Sequence, residues 1–140
     1  MKILYNHIEE HKLFIIKWTG DWNIESYKKS MKNFIDITSK VPVDSVIQDI
    51  TELNFDINFK EIDELIKLRS NIIKSTYRTV HITKRPQDVV FAELYSEELD
   101  NRDYLYCRTI KKAIEILTLS LSEKELTLLF SKLNKDLINR

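Results

Sequence analysis

The sequence predicts an α/β fold on a mainly parallel sheet, and three observations carry that prediction. Short apolar, β-branched runs alternate with longer stretches whose apolar residues recur at helical spacing. Ser45-Val46-Ile47-Gln48-Asp49-Ile50-Thr51-Glu52-Leu53 is an apolar run that closes on acidic residues before a helix, as a central parallel strand does. The first two β-rich runs are separated only by Glu9-Glu10-His11, which makes them an antiparallel hairpin.

Taken in order, Met1 to Ile8 and Lys12 to Trp18 are the hairpin strands. Leu13-Phe14-Ile15-Ile16 does not alternate, so the second strand is expected to be covered on both faces. Thr19-Gly20-Asp21 ends it, and Asn23 caps a helix whose inner face is Ile24, Tyr27, Met31, Phe34 and Ile35. After Val41-Pro42 comes the strand from Ser45 to Ile50. Asn58 with Glu61 three residues later is a capping box for a second helix, with Ile62, Leu65, Ile66, Ile72 and Ile73 inward.

Thr79 to Thr83 alternates strictly, with Val80 and Ile82 on one face and Thr79, His81 and Thr83 on the other. Pro86 and Asp88 suit the first turn of a third helix carrying Phe91, Ala92, Tyr95 and Leu99. Asp100 to Asp103 is a turn and Tyr104 to Arg108 a last strand, followed by a helix from about Thr109 with Ala113, Ile114 and Leu117 inward. Ser122-Glu123-Lys124-Glu125 opens a final helix, about 122–138, with Leu126, Leu129, Phe130, Leu133 and Leu137. The sheet is therefore expected to have five strands, in one domain spanning 1–140.

Composition narrows the function classes. At 140 residues, 43% apolar and 31% charged, the chain has the make-up of a folded domain with a substantial core. Lys plus Arg equals Asp plus Glu at 22 each, so no overall field draws the chain to nucleic acid or an anionic membrane. No apolar run approaches a membrane span, and Cys107 alone cannot make an internal disulfide, so a cytoplasmic location is expected. With one glycine, Gly20, neither a P-loop, a dinucleotide fingerprint nor a Gly-x-Ser-x-Gly elbow can be written. No cofactor is expected.

The element order, together with Lys17-Trp18-Thr19-Gly20 before the first helix, Ile47-Gln48-Asp49-Ile50-Thr51 before the second and Tyr106-Cys107-Arg108-Thr109-Ile110 at the last strand, resembles the STAS superfamily. Within it the chain is most similar to the SpoIIAA-like (STAS/SEC14-like) branch over roughly residues 3 to 118. The resemblance implies helices mainly on one face of the sheet and a regulatory role. It also implies a phosphorylatable serine in an Asp-Ser-Ser-Gly-like segment at the second helix. Here the comparable stretch is Asn54-Phe55-Asp56-Ile57-Asn58-Phe59, with Ile57 and Asn58 where hydroxyls would stand, so that switch does not carry over. Thr51, the nearest hydroxyl, is read as capping a turn. The resemblance leaves Thr79, His81, Thr83, Tyr104, Tyr106 and Arg108 outward, a mixed face that the final helix or a second copy of the chain would cover.

Asp49 at a strand's carboxyl end, beside Lys84-Arg85, places a candidate partner- or ligand-binding rim where α/β sheets present their loops. Its members are Asp49, Thr51, Phe55, Asp56, Phe59, Lys84 and Arg85. His7, Glu9 and His11 have the side chains of metal ligands but too few for a zinc site, so no metal site is assigned. Cys107 within a strand is read as a small buried hydrophobe and His81 as a hydrogen-bonded strand residue. No catalytic residue is assigned. The function expected is a non-catalytic regulatory or interaction module with a protein partner. The alternatives are a carrier or sensor of a small apolar ligand or lipid, motivated by Trp18, Trp22, Phe55 and Phe59 near strand ends, and an enzyme using Asp49, Lys84 and Arg85.

Overall fold

A computed structural model describes residues 1–56, 58–72, 77–85 and 104–139. The order is β1 (Lys2–Ile8), a single 3₁₀ turn (Glu9–His11), β2 (Leu13–Asp21), α1 (Ile24–Thr38), β3 (Ser45–Asn54), α2 (Phe59–Ile72), β4 (Arg78–Ile82), β5 (Tyr104–Cys107), α3 (Ile110–Leu117), α4 (Glu123–Ser131) and β6 (Lys135–Asp136). The helix expected from Pro86 and the turn at Asp100 to Asp103 lie outside the described residues.

The strands form one mixed sheet in the order β5-β4-β3-β2-β1-β6. β2, β3, β4 and β5 run parallel. β1 is antiparallel to β2 as the hairpin predicts, pairing Lys2 with Thr19 through Ile8 with Leu13. Lys12 turns that hairpin at φ 46°. At the opposite end of β2, Gly20 takes φ 85°, a left-handed conformation that a Cβ would strain.

The caps fall where the sequence puts them. The Asn23 side chain accepts from the Ser26 N–H and the Ser122 hydroxyl from the Glu125 N–H. Asn58 and Glu61 satisfy each other's backbone N–H groups at 3.0 and 3.4 Å. Each cap supplies an acceptor to a first-turn donor that has no partner within the helix.

Three expectations are corrected. The sheet has a sixth strand, because the chain after α4 turns extended and pairs with β1 at Leu4–Asp136 and Tyr5–Lys135. The final helix therefore ends at Ser131 rather than about 138. Leu126 and Phe130 belong to one core cluster, and Leu137 and Ile138 to the other. One straight helix cannot seat both sets, so the chain crosses the β1 edge.

Helices also cover both faces rather than mainly one. Tyr27, Met31 and Phe34 of α1 and Leu65 of α2 pack on Ile3, Phe14, Ile16, Trp18, Val46, Ile50 and Leu53. Ala113 and Leu117 of α3 with Leu126 and Phe130 of α4 pack on Leu13, Ile15, Ile47, Val80, Ile82 and Cys107. The alternation of β2 between these two sets explains its unbroken apolar run. Finally, the mixed face is covered largely by other elements than expected: Thr79, His81 and Thr83 are buried and Tyr106 packs against the α1–α2 core. α1 and α2, with Leu137 and Ile138 from the stretch expected to be the end of the final helix, pack on that side, while α4 lies on the other. Arg108 is exposed.

Candidate functional site

The carboxyl end of the parallel strands is shaped by a bulge in β3. Pairing with β2 runs Lys17–Asp49 and then Thr19–Glu52, so two β3 residues, Ile50 and Thr51, face the single residue Trp18. Ile50 and Leu53, three residues apart, consequently both reach the α1–α2 core. Asp49 holds this irregularity: its Oδ1 accepts the Thr51 N–H at 2.9 Å and the Thr51 hydroxyl at 2.7 Å. An aspartate accepting its own backbone two residues on is an Asx turn. Asp49 thus lies within a strand that continues to Asn54, not at its end as expected, and its carboxylate is committed to Thr51. Thr51 takes part in this turn as the donor to Asp49.

Beyond the bulge an aromatic knot fixes the chain. Trp18 and Trp22 stack at 6.5 Å and 11°, Tyr27 lies 5.6 and 5.3 Å from them, and Phe55 lies 5.4 Å from Trp22. The Trp22 N–H donates to the Asn54 carbonyl at 2.9 Å, and the Asn54 amide donates to Asp21 at 3.0 Å. Lys17 pairs with Glu52 at 2.7 Å. Between α1 and α2, Lys28 bridges Glu25, at 3.2 Å, and Glu64. Its hydrogen bonds to Glu64 and Glu25 raise its pKa.

The predicted rim is therefore brought together only in part. Asp49 and Thr51 bond to each other, and Phe55 is half-buried in the knot. Asp56 is exposed, Phe59 is the first residue of α2, Lys84 is exposed and Arg85 is half-buried. Asp21, Glu52, Asn54 and Asn58, not among the named members of the rim, are exposed like Asp56. Their signal is the polar alternation of Glu52-Leu53-Asn54-Phe55-Asp56, which marks a strand that runs on past Ile50.

The remaining chemistry candidates have structural partners. His7 Nε2 lies 2.9 Å from the Pro42 carbonyl, and His11 Nδ1 lies 3.3 Å from the Ser120 hydroxyl. Among the described residues no cluster of three or more His, Cys, Asp or Glu could hold a metal. The Cys107 thiol is buried and donates to the Thr109 carbonyl at 3.4 Å. Burial pushes its pKa up, outweighing that hydrogen bond and the charge of Lys112. A raised pKa leaves little thiolate, the reactive form. Among the described residues no helix is long and apolar enough to cross a membrane. Comparison with protein-family models and with curated proteins finds no match to this chain.

Proposed function

We propose that this chain is a non-catalytic regulatory or interaction module of the SpoIIAA-like type, which engages a protein partner through the polar rim at the carboxyl end of β3. One observation supports the reading above the others: the aromatic knot pins the backbone from Trp22 to Phe55 and leaves Asp21, Glu52, Asn54, Asp56 and Asn58 exposed along it. Polar groups on loops held by a rigid scaffold suit recognition. The central carboxylate, Asp49, is occupied by Thr51, which argues against an acid–base role for it.

Asp56→Lys with Asn58→Lys tests the reading, because both residues are exposed and neither belongs to the knot. Partner recovery from the native cell extract should fall sharply against the wild-type chain, with the circular dichroism spectrum unchanged. Equal recovery by a folded double variant would show that the partner binds elsewhere.

A further inference from the structure

We draw no further inference here: the strongest candidate, the exposed basic cluster of Lys84, Arg108, Lys111 and Lys112 where β4 and β5 end at the N-terminus of α3, rests on a helix end and surface cations, with Lys112 already paired to Glu115 and no second observation among the described residues that points to a ligand.

Discussion

The two faces of the sheet are packed by different rules. On the α3–α4 face Leu13, Ile15, Ile47, Val80, Ile82 and Cys107 are apolar and buried, and the buried Ser45 joins them by strand alternation. On the α1–α2 face Gln48 and Thr79 sit among Ile16, Trp18 and Phe34, with His81 and Thr83 following Thr79 by strand alternation. Burial of apolar side chains dominates the first face. The second carries more buried polar side chains and a small cavity, and its Trp18 indole N–H has no acceptor among the described residues.

Replacing Ile47 by Ala cuts into the well-filled face and should lose stability in the upper part of the ~2–5 kcal/mol range for such changes, read by urea unfolding. Leu137→Ala, equally buried but in the C-terminal strap that follows the two-residue edge strand β6, should fall near the lower end of that range. Equal losses would erase the distinction between the faces. Asp49→Ala comes next, at about 1–3 kcal/mol, because the Thr51 N–H and hydroxyl lose their shared acceptor at the bulge. A loss near zero would mean that the bulge holds without its carboxylate.

The smallest effect is a pH effect on the strap. Burial alone would raise the pKa of Asp136. Hydrogen bonds from the Asn139 and Ile138 N–H groups and the Asn139 amide, with the charge of Lys2, outweigh it and lower the value below 3.8. A lowered carboxylate contributes stability that is present above its unfolded value and lost as pH falls through its folded value. Asp136→Asn should thus be less stable than wild type at neutral pH, with the gap closing only below the usual aspartate range. A gap independent of pH would remove the ionised carboxylate from the turn.

Much of the architecture was legible because local rules and tertiary structure agree. The hairpin, the Asn23, Asn58 and Ser122 caps and the alternation of β4 each follow from a few adjacent residues. The errors arose where distant packing decides. Leu129, Leu133 and Leu137 keep helical spacing, yet Leu137 belongs to the opposite core, so pairing with β1 overrides the period. The coverage of the two faces depends on which way each crossover turns, and strand alternation alone does not record that. At the rim, Asp49 was legible as a polar residue in a central strand, but its use as the brace of a bulge depends on a register shift against β2. The cavity was out of reach for the same reason. Trp18, Gln48, Thr79 and Leu137 come from four separate segments, and only the folded chain brings them together.

Native-state hydrogen exchange tests the contrast most directly, comparing the Leu137 amide, bonded to Ile3, with the Ile47 amide in the central strand. The strap should open locally, so Leu137 should exchange faster than Ile47 and with little dependence on denaturant, while Ile47 exchanges only through global unfolding. Equal protection and equal denaturant dependence at the two amides would make the strap part of the global unit and contradict the contrast between the faces.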